Sequence, residues 1–281
     1  MRSRVRVGRG SRLSGPVAEV SDLLPAELAP SIPRRYERIG DVILLKLAGR
    51  PVEARRRIAE AYGNVLHAKT VVEDRGIRGQ WREPDIEVLW GGVTETVHIE
   101  NGVRYRIDVG RVMFSSGNIA ERIRMGRIVT PGETVVDLFA GIGHFAIPMA
   151  VHGKARRVVA CEVNPVAFAY LEENVRLNRA WSVEPRLGDC RQTAPEGVAD
   201  RVIMGYLQGE SYLDVAMRAA KDACVLHYHE NVPVEEDERP ARRVDEAAAK
   251  AGVRASVLAV HRIKSYAPRV LHMVLDVRLT R

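Results

Sequence analysis

No run of roughly 18 consecutive apolar residues, the length that crosses a bilayer, occurs anywhere in the chain. The opening Met1-Arg2-Ser3-Arg4-Val5-Arg6 lacks the apolar stretch of a secretory leader, so a cytoplasmic location is expected. Cysteine is scarce: Cys161, Cys190 and Cys224 are odd in number and show no Cys-x-x-Cys spacing. That argues against a disulfide framework and a zinc ribbon and leaves reduced, mostly buried thiols as the expectation. Internal repeats and low-complexity tracts are missing too; Glu235-Glu236-Asp237-Glu238 reads as a short solvated loop. What is present is a chain of 281 residues, 46% hydrophobic, long enough for one large domain or two unequal ones, and two are expected.

The net charge of +7 is unevenly placed. Residues 1 to 57 hold 13 Lys+Arg against 6 Asp+Glu, and the remainder holds 30 of each, so the excess lies at the N-terminal end. Such a segment suits a polyanion, because each phosphate neutralised by Arg or Lys releases condensed counterions. Nucleic acid is the leading partner on this ground, and a solvated tail that only aids solubility fits the charge equally well.

Glycines and prolines crowd residues 1–35, with a short helical stretch between Val17 and Leu28, and predict a basic, loosely ordered arm. Residues 36–112 read as a small α+β module: a strand over Asp41–Leu47, a helix over Val52–Tyr62 and extended segments at Val65–Val72, Glu87–Trp90, Glu95–Glu100 and Val103–Val109. A helix should start after Ser115-Ser116-Gly117, with Asn118 as cap and Glu121 completing a capping box. Beyond Pro131-Gly132, apolar strands alternate with helical stretches, at Thr134–Phe139, Arg157–Val163, Glu184–Leu187, Arg201–Met204 and Cys224–Tyr228. This alternation predicts a parallel, helix-covered sheet over 113–281, and Ser256–Ile263 with Val270–Leu279 closes it as an antiparallel hairpin.

Three strand ends carry chemistry. Val135-Val136-Asp137-Leu138-Phe139-Ala140-Gly141-Ile142-Gly143 is an apolar strand running into a glycine turn, and Gly141 and Gly143 let backbone approach a ligand. A dinucleotide fingerprint would need a third glycine three residues later, where Ala146 stands. The next strand ends in Glu162, a carboxylate suited to two ribose hydroxyls, and Asn164-Pro165 opens a helix. The third ends in Gly188-Asp189-Cys190, which suits an adenine edge in an apolar slot. Singly, a glycine turn can be only a turn, Glu162 a helix cap and Asp189 a strand end; at consecutive strand ends together they point to a nucleoside. His227 and His229 alternate on one strand without an evident third ligand, so no metal site is expected.

Asp137 to Gly143, Glu162 and Asp189 resemble the cofactor motifs of class I S-adenosylmethionine-dependent transferases. The resemblance implies an α/β, Rossmann-like fold with a seven-stranded sheet and a terminal antiparallel hairpin, preceded by the small α+β domain. Met113-Phe114-Ser115-Ser116-Gly117-Asn118, Glu121-Arg122, Met204-Gly205-Tyr206, His227-Tyr228-His229 and Tyr266-Ala267-Pro268 are similar to the archaeal aminocarboxypropyltransferases of wybutosine synthesis. Related to these are the archaeal tRNA guanosine-37 N1-methyltransferases, which share the Phe-Ser turn, the Glu-Arg pair and the cofactor motifs. They carry Asn-Leu-Pro or Asn-Pro-Pro where this chain has Met204-Gly205-Tyr206, and this departure disfavours N1-methylation.

The resemblance implies transfer of the 3-amino-3-carboxypropyl group of S-adenosylmethionine to C7 of 4-demethylwyosine at position 37 of tRNA-Phe, without a metal. It places Ser115 and Arg122 at the cofactor tail, Glu162 at the ribose, Asp189 and Cys190 beside adenine, and Asp137, Phe139, Gly141, Gly143, Asn164 and Gly205 around the cofactor. Tyr206 and His229 are the substrate-side candidates, Tyr206 by stacking on an extruded base. Asp108, Asp189 and His229 are candidates for a general base. Arg34, Arg35, Arg55, Arg56 and Arg57 are the preferred phosphate contacts to an anticodon stem-loop, with no membrane and no obligate protein partner. The alternatives are a tRNA guanosine-37 N1-methyltransferase, a small-molecule methyltransferase and a non-catalytic RNA-binding protein.

Overall fold

The computed structural model describes residues 15–79 and 82–281. These fall into two compact units, the first holding the described residues up to Thr96 with Asp108–Met113, the second Val97–Ile107 with Phe114–Arg281.

In the first unit, α1 (Pro16–Asp22) precedes β1 (Glu37–Ile39), β2 (Val42–Leu45), α2 (Val52–Val65), β3 (Thr70–Arg78) and β4 (Glu83–Trp90). The strands form one sheet in that order; β2 and β3 are parallel, joined through α2, and the outer pairs are antiparallel. Ala54, Ile58, Ala61 and Tyr62 recur at helical spacing on the buried face of α2, the last three in one core with Ile43, Leu45 and Val71. Gly63 lets the Trp90 ring close on α2, since a Cβ there would stand 2.5 Å from Trp90 Cε3. The helix runs to Val65, so the extended segment expected from there starts only at Thr70, after a turn at His67.

The expected loose arm over 1–35 needs correction for its described part. Residues 1–14 lie outside the described residues, but Val17, Val20 and Ile32 are buried in the same core cluster as Ile58 and Tyr62. Apolar burial outweighs the glycines and prolines: Pro16 starts α1, Pro25 follows its end, and the Tyr62 hydroxyl donates to the Pro33 carbonyl.

The second unit contains the hairpin β5 (Glu95–Glu100) and β6 (Val103–Asp108), whose residues 97–107 group here and not with the small module. Two side chains from the helix at Pro165–Leu177 and its C-cap give the physical reason. Asn174 takes the Arg106 amide at 2.6 Å and donates to its carbonyl at 3.1 Å, and Asn178 does the same for Arg104 at 2.8 and 2.6 Å. The two amides thus satisfy the open edge of β6 as a neighbouring strand would.

There follow α3 (Ile119–Ile128), β7 (Thr134–Asp137), α4 (Ala146–Val151), β8 (Arg157–Glu162), α5 (Pro165–Leu177), β9 (Val183–Leu187), α6 (Cys190–Thr193), β10 (Ala199–Met204), α7 (Leu213–Ala219), β11 (Ala220–Pro233), α8 (Arg239–Lys250), β12 (Arg254–Ala267) and β13 (Val270–Thr280). They build a seven-stranded sheet in the order β12-β13-β11-β10-β7-β8-β9. All neighbours from β11 to β9 are parallel, and β13 runs antiparallel to both β11 and β12. The class I transferase architecture, with its reversed final hairpin, is therefore present. Strands buried on both faces explain the near-continuous apolar runs, with Val136, Val159, Val202, Leu226 and Val277 in one core.

Strand order reverses between β7 and β10, which opens a crevice at the carboxyl ends of these strands. Cys161, Cys190 and Cys224 are free and buried, and burial pushes their thiols up, to about 11 for Cys161 and about 12 for Cys190 and Cys224. Among the described residues, no helix is long and apolar enough to cross a membrane.

Because Val20 is wholly buried, Val20→Ala is expected to cost about 2 kcal/mol in the urea unfolding of the full chain, two lost methyl groups plus a cavity. An unchanged midpoint would restore the loose-arm reading.

Candidate active site

The site is built from three strand ends. Asp137 ends β7 with its side chain fully buried; Oδ1 accepts from the Phe139 amide at 3.2 Å, and Oδ2 has no partner among the described residues. Burial, reinforced by the neighbouring Glu162 charge, pushes its carboxyl up to about 7. The loop that follows turns through positive φ at Gly141 (57°) and Gly143 (96°). A Cβ at 143 would stand 2.5 Å from Ile147 Cδ1, so glycine is required there for packing as well as for conformation.

Glu162 ends β8 and bridges two loops: Oε2 accepts the Gly141 amide at 2.7 Å and Oε1 the Asn164 amide at 2.8 Å. Each oxygen keeps further lone-pair capacity for a ligand hydroxyl. Burial raises its pKa above the ordinary carboxylate value against these amide bonds. Asn164 caps α5, its side chain accepting from Val166 at 2.9 Å, with Pro165 in the first turn. After β9, Asp189 caps the one-turn α6 through the Arg191 amide at 2.8 Å and is clasped by the Arg191 guanidinium. That hydrogen bond is the main reason its pKa is lowered. Asp189 therefore arrives with a cation attached, which does not suit it to act as a general base.

At the fourth strand end, Gly205 leaves room for the Phe145 ring, since a Cβ would stand 2.8 Å from its Cε2. Tyr206 is half-buried, tilted on Phe139 with centroids 5.3 Å apart, and its hydroxyl donates to Gln208. Tyr212 meets Phe139 edge-on at 5.1 Å and lies under the Arg191 guanidinium at 4.9 Å. Thus Phe139, Tyr206 and Tyr212 form an aromatic wall beside Asp189.

Arg122 does not stand ready for a cofactor carboxylate. Its side chain is 3% exposed, with Nε and Nη2 each 2.6 Å from the Glu100 carboxylate, and Nη1 donates to the Ser115 carbonyl at 2.9 Å. A buried guanidinium needs a paired acid, and Glu100 on the hairpin supplies it. Arg122 thereby holds the Ser115 turn. The expected capping box is absent too: Asn118 makes no side-chain cap, and Glu121 instead clasps Arg124 at 2.7 and 2.8 Å. The cation beside Ser115 is Lys264 on β12, whose Nζ donates to Ser115 Oγ at 2.9 Å. No local pattern in the sequence marks Lys264, because it comes from a hairpin 149 residues away. Asn174 also went unmarked; its amide donates to the Ile142 carbonyl at 3.1 Å and steadies the glycine loop.

The histidines form a buried network. His227 Nε2 lies 2.6 Å from Arg201 Nη1 and Nδ1 lies 2.6 Å from Asp276. Arginine can only donate, so Nε2 accepts and Nδ1 donates, which fixes the neutral tautomer. His229 Nδ1 meets His272 Nε2 at 3.1 Å, and burial holds His229 well below the usual imidazole range. His229 is 1% exposed, so direct substrate contact is not supported; it packs on Phe145 at 5.3 Å. Asp108 belongs to the first unit, where it takes the Gly110 amide.

The expected phosphate contacts all fall in the first unit. Arg56 and Arg57 are exposed on α2, and Arg34 and Arg35 are exposed just before β1. Arg55 is the correction: half-buried, it pairs with Glu73 and, at 2.7 Å, with Glu87. Its helical phase turns it toward the sheet, where two carboxylates hold it.

The TRM5/TYW2 methyltransferase domain family matches residues 96–257, more than half of the chain, and the TYW2 N-terminal domain family matches 19–94. The chain belongs to the TRM5/TYW2 family. Within it, the chain is 43% identical over 266 residues to the Pyrococcus horikoshii tRNA(Phe) (4-demethylwyosine(37)-C(7)) aminocarboxypropyltransferase, covering 92% of this chain and 94% of that protein. Against the tRNA (guanine(37)-N(1))-methyltransferase Trm5b of Pyrococcus abyssi the identity is 36%, covering 92% and 78%. The crystal structure of P. horikoshii TYW2 in complex with MeSAdo is similar with a TM-score of 0.84 at 40% identity, covering 93% and 96%.

The raised Asp137 carboxyl gives a pH test. Its folded pKa, about 7, lies above the ordinary 3.8. Between those values the native state holds the extra proton, so this group's contribution falls as pH rises. Asp137→Asn is therefore expected to gain stability relative to the parent between pH 5 and pH 8 in urea unfolding, read at roughly those two values. Parallel profiles for the two proteins would sink the assignment.

Proposed function

We propose that this chain transfers the 3-amino-3-carboxypropyl group of S-adenosylmethionine to C7 of 4-demethylwyosine at position 37 of tRNA-Phe, and that methylthioadenosine leaves. The observation that carries the reading is the likeness, over both units, to the TYW2 structure that holds MeSAdo, the fragment left after aminocarboxypropyl transfer. The match of residues 19–94 to the TYW2 N-terminal domain supports it over N1-methylation.

The residues fit the cofactor. Asp137 Oδ2 is a buried acceptor with no partner among the described residues, the glycine loop admits close approach, and Glu162 offers a carboxylate at the next strand end. Glu162 receives the ribose hydroxyls, Asp189 and Cys190 border the adenine, and Phe139 and Gly205 line the cofactor beside the Asn164 turn. Bound there, S-adenosylmethionine supplies an electrophilic Cγ: C7 of the base bonds to it, the Cγ–S pair goes to sulfur, and the C7 proton leaves to water. The chain's contribution is alignment, because the carbon lying in line with the nucleophile determines which group moves. Tyr206, on the aromatic wall, receives the extruded base by stacking, worth about 1 to 3 kcal/mol per base.

Arg34, Arg35, Arg56 and Arg57 contact phosphates of the anticodon stem-loop, and the small domain positions the tRNA. Such a substrate is met in the cytoplasm.

Mass spectrometry of 4-demethylwyosine tRNA after incubation with the protein and S-adenosylmethionine should show the aminocarboxypropyl adduct with methylthioadenosine. A methyl adduct with S-adenosylhomocysteine would establish the N1-methyltransferase alternative instead. Arg56→Ala with Arg57→Ala is expected to weaken tRNA binding and to lower the slope of log affinity against log salt by roughly 1 to 2. An unchanged slope would remove these residues from the RNA surface.

A further inference from the structure

At the amino ends of β8 and β9, Arg157, Trp181, Glu184 and Pro185 are among the residues that line an open cleft of about 660 Å³. The six residues of β8 put roughly 16 Å between this cleft and Glu162 in the crevice. Trp181 is 69% exposed, although tryptophan is on average a highly buried residue type. Its turn is fixed on both sides: the Ala180 amide donates to the Val175 carbonyl at 3.0 Å, and the Val183 amide to the Ala180 carbonyl at 2.9 Å. A large apolar ring is thus held in water by a hydrogen-bonded backbone.

In the same cleft one carboxylate serves two guanidiniums. Glu184 Oε2 accepts from Arg157 Nε at 2.8 Å and Nη2 at 2.6 Å, and Oε1 accepts from Arg186 Nε at 3.1 Å and Nη2 at 2.7 Å. The trio therefore carries a surplus positive charge. Arg186 commits its remaining nitrogen to the Thr193 carbonyl at 2.7 Å. Arg157 is 40% exposed, and its Nη1 makes no bond among the described residues, so Glu184 fixes this guanidinium and leaves donors facing water. Arg156 is directed elsewhere, with Nη2 donating to Thr134 Oγ1 at 2.9 Å and its charge acting on Asp200.

The sheet edge beside the cleft is closed to another strand. β9 ends the sheet order, and the Val158 amide donates to the Ser182 carbonyl at 2.8 Å. Even-numbered residues of β9 thus face β8, while Val183, Pro185 and Leu187 face outward. A peptide strand added there would find the Val183 amide taken by Ala180 and no amide at Pro185. Recognition falls to side chains, which here are a flat apolar face and a fixed cation. A nucleobase stacks on the first, and a phosphate takes charge-assisted hydrogen bonds from the second.

We propose that this cleft binds a nucleotide, with its base stacked on Trp181 and its phosphate on Arg157. The site lies at the other end of the strands from the cofactor crevice, and its assignment does not depend on the reaction carried out there. The same chemistry serves a nucleotide within an unpaired RNA stretch and a free mononucleotide.

Two probes separate these sources: a labelled single-stranded adenylate RNA about six nucleotides long, and AMP. Each is titrated into the full chain and into Trp181→Ala, Trp181→Phe and Arg157→Ala, with urea midpoints confirming the fold. Trp181→Ala is expected to weaken the RNA about tenfold, the loss of one stacked base, with its salt dependence unchanged. Trp181→Phe should keep most of the affinity. Arg157→Ala should lower the slope of log affinity against log salt by roughly 0.7, one phosphate contact on a single strand. RNA contacts of the first unit are common to all four proteins, so the differences report the cleft. Quenching of tryptophan fluorescence by AMP that disappears in Trp181→Ala assigns the cleft to free nucleotides; an effect on the RNA alone assigns it to a strand. Equal affinities of the parent and Trp181→Ala for both probes overturn the proposal. It is overturned also if the parent self-associates in sedimentation, Trp181→Ala stays monomeric and RNA affinity is unchanged, since the face is then a contact between copies. S-adenosylmethionine affinity is expected to be the same in parent and variants, so failure here leaves the proposed function standing.

Discussion

Glu162 accepts the amide of Gly141 from the loop after β7 and the amide of Asn164 from the turn after β8, and the form of the crevice depends on that one carboxylate. Backbone bonds carry the sheet a little past the strands, from the Leu138 amide to the Ile203 carbonyl at 3.0 Å and from the Ala140 amide to the Cys161 carbonyl at 2.9 Å, and the Glu162 carboxylate extends that link into the loops. One side chain with two acceptor oxygens keeps both loop entrances at a fixed separation. The buried Asp137 beside it makes the arrangement costly, because two acids share a poorly solvated corner and both carboxyls are raised. Strain of this electrostatic kind is typical of sites that await a ligand's hydroxyls and charge.

A second level of organisation surrounds that corner. Asn174 joins the hairpin at Arg106 to the glycine loop at Ile142, so one buried amide links an edge strand to the ligand-facing backbone. Arg122 joins the same hairpin, through Glu100, to the Ser115 turn. The hairpin thus acts as a brace for two loops that approach the crevice from different parts of the chain. The His227–Asp276 and His229–His272 contacts form a buried network between β11 and β13 beside α3, in which burial favours the neutral imidazoles.

The local sequence determined the fold class, because its signals are local. Apolar strands alternating with helical stretches specify a parallel sheet, and two long apolar segments split by Tyr266-Ala267-Pro268 specify the closing hairpin. The strand-end residues Asp137, Gly141, Gly143, Glu162, Asn164 and Asp189 were legible for the same reason: each stands at a fixed offset from an apolar run, and the structure brings them to neighbouring strand ends. Gly205 was legible as an absence, and packing against Phe145 supplies its steric reason.

Partner choice among charged side chains was decided by tertiary structure. Whether Arg122 meets a ligand or Glu100, whether Arg55 meets phosphate or Glu73 and Glu87, and which cation reaches Ser115 depend on contacts between residues far apart in the chain. The same holds for Val20, whose burial offsets a sequence rich in glycine and proline, and for β5–β6, whose allegiance follows from Asn174 and Asn178. The sequence by itself determined which residue types stand at the strand ends, since backbone periodicity carries that information. Only the folded chain decided which charges neutralise one another, because ion pairing acts through space and its energy depends on burial that no local pattern records.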